Sequence, residues 1–215
     1  MKSIEKKRLI AAVFGLIAAA SVITQYFISS QREGLSFLEN SIRYFSYFTI
    51  LTNTLVAKYM LVIAFGRPRG LHRLMSAPGF LSSLLLHMAI VALVFHVVLS
   101  HLYDFEGLTL VLNQMFHTVV PIFVLLFWLF FEDKAAVPFA SIGKWLLYPL
   151  IYSALVMLRG VFSGFYPYFF LDIGEIGGLQ TAINMLAVAA FFALMGSLII
   201  AVGKKIDAAK KRGEA

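Results

Sequence analysis

Six apolar stretches, roughly residues 9–29, 41–65, 78–102, 110–130, 142–163 and 179–202, decide most of what this chain can fold into. A helix needs ~20 mainly apolar residues to cross a bilayer, and each stretch meets that length. Hydrocarbon offers the backbone no hydrogen-bond partners, so stretches of this kind are read as helices. The connections carry turn and charge signals: "QREG", "GRPRG", "YDFEG", "FEDKAAVP" and "LDIGEIGG". With no internal repeat and short connections, the expectation is all-α: one integral membrane six-helix bundle over residues 1–215. Composition agrees, since 60% hydrophobic and 13% charged residues leave too much apolar surface for a single aqueous core.

The net charge of +7 raises nucleic-acid binding, but the positions of the charges argue against it. Lys2, Lys6, Lys7 and Arg8 cluster at one end, and Lys204, Lys205, Lys210, Lys211 and Arg212 at the other. Basic clusters flanking apolar spans are what cytoplasmic juxtamembrane segments look like. Arg67, Arg69 and Arg73 mark the second connection and Lys134 and Lys144 the fourth. The other connections hold Glu33, Glu39, Asp104, Glu106, Asp172 and Glu175, with Arg32, Arg43 and Arg159 at their edges. Both termini are therefore expected in the cytoplasm. The start, "KKRLIAAVFGLIAAAS", resembles a secretory signal. Its apolar run continues through Val22, Ile23, Tyr26 and Phe27, so an uncleaved first span is expected.

Polar residues inside the spans fall at one depth. Thr49, Thr52 and Asn53 follow i, i+3, i+4 and share a helix face. Counting from Ser41 puts Thr49 about eight residues, or ~12 Å, below the extracytoplasmic surface. Asn113, His117 and Pro121 share a face of the fourth span, with His117 at a similar level. His96, Arg159 and Asn184 add groups from the third, fifth and sixth spans. Residues such as Arg159 cost at least a few kcal/mol in hydrocarbon, which favours a bundle interior or a wet cavity. Pro121 removes an N–H and should kink its helix, leaving the His117 carbonyl without its usual partner.

The plain alternatives are real. Threonines in spanning helices commonly back-bond to their own helix, and asparagines join neighbouring helices. No cysteine is present and no HExxH motif occurs, so neither a metal site nor any cofactor is expected.

"YFTILTN" followed by "LNQMFHTVVPIFVLLFW", with "RGVFSGFYPYFFLD" as a third piece, resembles the androgen-induced transmembrane hydrolase family in its prokaryotic branch. The resemblance covers the six-span pattern of the whole chain, while its specific motifs occupy these three stretches. It implies a multi-pass enzyme of a prokaryotic inner or plasma membrane that hydrolyses lipid esters, such as fatty acid esters of hydroxy fatty acids. Thr49 would be the nucleophile and His117 its general base, with Thr52 one turn on as the other threonine to weigh. Where animal members carry histidines before the Tyr-Pro element, this chain has Leu158 and Arg159.

The chemistry is sound on its own terms. A hydroxyl becomes a competent nucleophile when a neutral imidazole accepts its proton. Asn53, His96, Asn113, Arg159 and Asn184 are candidate oxyanion or substrate contacts. The expected partner is a membrane lipid or lipid ester; the oligomeric state is left open. Two further readings remain open: a non-catalytic lipid-binding scaffold and a small-solute transporter.

Overall fold

Small residues spaced four, three and four apart set the first contact of the fold. The computed structural model describes residues 3–31 and 34–213; Lys2, Arg32 and Glu33 lie outside them. All elements among the described residues are helical. The chain clusters into two compact units, Met1–Asp133 and Lys134–Ala215. Six helical segments are long and apolar enough to cross a membrane, giving the chain the architecture of a multi-pass membrane protein.

The first unit contains α1 (Ser3–Ser30), α2 (Phe37–Phe45), α3 (Phe48–Phe65), α4 (Gly70–Met75), α5 (Phe80–Val94), α6 (Gly107–Gln114) and α7 (Val120–Phe131). Ala11, Gly15, Ala18 and Val22 form the buried seam of α1. A Cβ at Gly15 would lie 3.0 Å from both the Met60 Cβ and Leu61 Cδ2. The small seam is therefore what lets α1 and α3 approach, as in other membrane helix pairs, where the hydrophobic effect supplies no drive and close packing must. Arg8 fastens one end of the seam by donating from Nε to the Ala64 carbonyl at 2.7 Å. Between α5 and α7, Trp128 Nε1 donates to Ser82 Oγ at 2.8 Å within a buried apolar contact. Gly79 begins α5 at φ 88°, and its N–H donates to Glu132 Oε1 at 2.7 Å.

One expected span is divided. The apolar run 41–65 is not a single helix: α2 ends at Phe45, Tyr47 is extended (φ −80°, ψ 125°), and α3 starts at Phe48. The reason is local. Ser36 caps α2 by accepting from the Glu39 amide at 3.1 Å, and Arg43 pairs with Glu39 at 2.6 Å. Tyr44 Oη donates to the Val22 carbonyl at 2.6 Å, and Tyr26 and Ser41 hydroxyls meet at 2.7 Å. These anchors hold α2 on α1, so the backbone turns at Ser46–Tyr47 before α3 begins.

Two further departures from regular helix occur at a matching level. Phe95–Leu99 and Met115–Val119 are π-helical turns, closed by Ser100 N–H to the Phe95 carbonyl and Val120 N–H to the Met115 carbonyl. Such turns insert one residue into a helix and rotate the side chains beyond it.

The second unit contains α8 (Ser141–Trp145), α9 (Leu147–Ser163), α10 (Ile173–Ile176) and α11 (Gly178–Arg212). Asp207 of α11 accepts from the Ala135 amide at 2.8 Å and lies 4.0 Å from the buried Lys134 Nζ. At the other end of α9, Gly160 accommodates the Tyr166 ring: a Cβ there would lie 2.0 Å from Tyr166 Cε1. Gly160→Ala must displace the ring, and we expect a loss of about 1–3 kcal/mol, read as a lower unfolding temperature in detergent with the helical signal retained below the transition.

Candidate functional site

The break before α3 leaves Thr49 in the first turn of that helix, not eight residues along it. Helix-start amides lack intrahelical acceptors. Tyr47, the residue preceding α3, provides no side-chain cap. The amides of Ile50 and Leu51 turn back to the Tyr47 carbonyl, each at 3.1 Å. The Thr49 N–H finds no acceptor among the described residues. An uncapped N-terminus is the positive end of the helix dipole, and here it lies at the candidate nucleophile itself.

Thr49 Oγ1 meets His117 Nε2 at 3.4 Å. The other ring nitrogen decides the direction of this contact. His117 Nδ1 lies 3.0 Å from the Asn113 carbonyl, which can only accept, so Nδ1 carries the proton. In the neutral ring Nε2 is then the acceptor, facing the threonine hydroxyl. Phe95 stacks on the imidazole with centroids 3.8 Å apart and planes at 17°, which restrains the ring against rotation. Thr49 and His117 are both half-buried. The threonine that meets His117 is thus Thr49; Thr52 is fully buried.

Asn53 has a different part from the oxyanion donor that its spacing suggested. Its side-chain amide is committed: Nδ2 donates to the Thr49 carbonyl at 2.9 Å and to the Phe116 carbonyl at 3.4 Å. Pro121 explains the second bond. With α spacing, the amide missing at Pro121 would have deprived the His117 carbonyl. The π turn moves that deficit to Phe116, since five-residue spacing pairs carbonyl 116 with amide 121. Asn53 supplies the donor from α3, tying the Thr49 turn to the His117 turn. The residue is fully buried, and its Oδ1 has no hydrogen-bond partner among the described residues.

Asn113 stands one turn before His117. It is buried, and its side-chain amide makes no hydrogen bond among the described residues, so that donor is uncommitted. His96 lies outside the Thr49–His117 pair. Its Nε2 is 3.0 Å from Thr118 Oγ1, and Thr118 in turn donates to Gln114 Oε1 at 2.8 Å. Since the threonine proton is used on Gln114, His96 donates from Nε2, and the three side chains form a polar chain linking the two π turns.

Arg159 and Asn184 belong to the second unit. The Arg159 guanidinium sits over the Phe165 ring at 4.9 Å. Asn184 donates from Nδ2 to the Phe170 carbonyl at 2.9 Å and accepts from Gln180 Nε2 at 2.9 Å. Together they order the aromatic segment after α9 and the start of α11.

Sequence spacing missed two site features: the Thr49 amide and the two π turns. A run as apolar as 41–65 contains no Gly or Pro to announce its break, and Pro121 announced a kink in the fourth span but not its π spacing. Compared with models of protein families, with curated proteins and with solved structures, the chain matches none.

Proposed function

We propose that the protein is an intramembrane hydrolase of lipid esters, with Thr49 as nucleophile and His117 as general base. The observation that carries this reading is the Thr49–His117 contact of 3.4 Å, with the ring tautomer fixed by the Asn113 carbonyl. Catalytic hydrogen bonds are often long before substrate arrives, so 3.4 Å is compatible with proton transfer on binding.

The steps follow from the geometry. His117 Nε2 takes the hydroxyl proton as Thr49 Oγ1 attacks the ester carbonyl. The resulting oxyanion is stabilised by the Thr49 amide at the positive end of α3, with the Asn113 side-chain amide as a second donor; one such donor contributes ~3 kcal/mol in other hydrolases. The imidazolium returns its proton to the leaving alcohol, and an acyl-threonine remains. Water, deprotonated by the same nitrogen, attacks this acyl group; the carboxylic acid leaves and the proton goes back to Thr49. His117 keeps its Nδ1–H on the Asn113 carbonyl throughout, so a backbone oxygen serves where other hydrolases use a carboxylate.

A membrane lipid ester fits this location, because its carbonyl lies between a polar head and an apolar tail. The basic residues at both chain ends favour cytoplasmic termini in a prokaryotic plasma membrane, which sets the dyad toward the extracytoplasmic side. The test is acid release from a panel of long-chain esters by the purified protein. Turnover by wild type that disappears in Thr49→Ala supports the reading; a panel with no turnover, or equal turnover in the variant, refutes it.

A further inference from the structure

The face of α3 opposite Thr49 carries an unexplained charge. Lys58 lies nine residues after Thr49, about 180° around the helix at ~100° per residue. It is exposed within the candidate span Phe48–Phe65 and forms no ion pair among the described residues. The surrounding groove, with a volume of about 630 Å³, runs between α1 and α3 from Ala19, Ile23 and Thr54 to Phe65 and Gly66. Thr54 adds little polarity, since its hydroxyl donates to the Ile50 carbonyl at 2.7 Å. From Thr54 to Gly66 the groove is ~18 Å long at helical rise, close to the ~15 Å depth of one leaflet.

An ammonium on such a face calls for an anion. Among the described residues the six candidate spans contain only two carboxylates, Glu5 in the first turn of α1 and Asp207 near the end of α11. Asp207 already accepts from the Ala135 amide. A second copy of the chain therefore brings no carboxylate to the depth of the Lys58 backbone. A lipid supplies the anion, because Lys58 is ~10 Å above the end of α3 and its stem can direct the ammonium toward the headgroup level. Arg67 and Arg69, both exposed, follow Gly66 at the foot of the groove and extend the positive field to that level.

We propose that this groove binds one anionic phospholipid from the leaflet at the Phe65 end of α3, an acyl chain lying along the groove and the phosphate held by Lys58 and Arg67. The site is separate from the Thr49–His117 dyad and does not depend on the hydrolase reading.

The test uses the full-length protein in nanodiscs of equal phosphatidylglycerol and phosphatidylcholine, with retained lipids identified by native mass spectrometry. Wild type is expected to retain phosphatidylglycerol in preference to phosphatidylcholine. Lys58→Met should lower that preference about fivefold, the effect of one basic contact near the headgroups. Lys58→Arg should keep it, and Arg67→Gln should weaken it without affecting the fold. Inorganic phosphate at millimolar concentration should not displace the lipid. Equal retention of both lipids by wild type, an unchanged preference in Lys58→Met, displacement by free phosphate, or a dimer filling the groove in place of lipid would each overturn the proposal.

Discussion

Thr49→Ala and His117→Ala are each expected to lower ester turnover by about 10³-fold or more, and the double variant by no more than the worse of the two. The shared limit follows from the proposed chemistry. Without the imidazole the hydroxyl keeps its proton, and without the hydroxyl the imidazole has nothing to activate. Either deletion removes the same covalent route. Multiplying losses would mean that the two residues act in separate steps, and the dyad would be wrong. Thr49→Ser separates chemistry from packing: it keeps the oxygen and the approach to His117, so it should retain activity within about tenfold. Its lost methyl removes only a small apolar contact.

The second large effect is expected at Asn53. Asn53→Leu preserves volume but removes the amide that bridges the Thr49 and Phe116 carbonyls. The Thr49 carbonyl retains its ordinary helical partner, whereas the Phe116 carbonyl, already deprived by Pro121, is left unsatisfied in a buried position. Stability should fall by about 2–4 kcal/mol. Turnover should fall by about 10²-fold in the folded fraction, because a displacement near 1 Å between reacting groups is enough for that loss. Asn53→Asp sets a carboxylate against two carbonyl oxygens and should be worse than Asn53→Leu in thermal unfolding. Unfolding temperatures and turnover per folded molecule, measured together, check both halves. An unchanged Asn53→Leu would show that the bridge between α3 and the π turn is dispensable.

Part of this site is written in the sequence and part is not. Six spans were legible because the length and apolarity needed to cross a bilayer leave few alternatives. The common level of Thr49 and His117 was legible from residue counts along two spans that both enter from the same side, and the structure brings the two side chains to 3.4 Å. The start of α3 was not legible. Ser46 and Tyr47 lie within an apolar run, and the turn there depends on Tyr44 reaching the Val22 carbonyl of another helix. That long-range bond, invisible to local periodicity, is what puts Thr49 at an uncapped helix end. Asn53 was legible as a polar residue on the right face, but its task was not. Only the π spacing at Met115–Val119 shows that Phe116, not His117, has the carbonyl in need of a donor. The α1–α3 seam stands between these cases, since Ala11, Gly15, Ala18 and Val22 carry their spacing openly while their partners at Met60 and Leu61 do not.

If His117 makes the Thr49 oxygen nucleophilic, that oxygen should be open to covalent capture. A fluorophosphonate forms a phosphorus–oxygen bond with an activated hydroxyl and releases fluoride, leaving an adduct that peptide mass spectrometry can locate. One adduct is expected, on Thr49, absent from Thr49→Ala and strongly slowed in His117→Ala. An unmodified protein, or an adduct on another residue that persists in Thr49→Ala, would contradict the dyad.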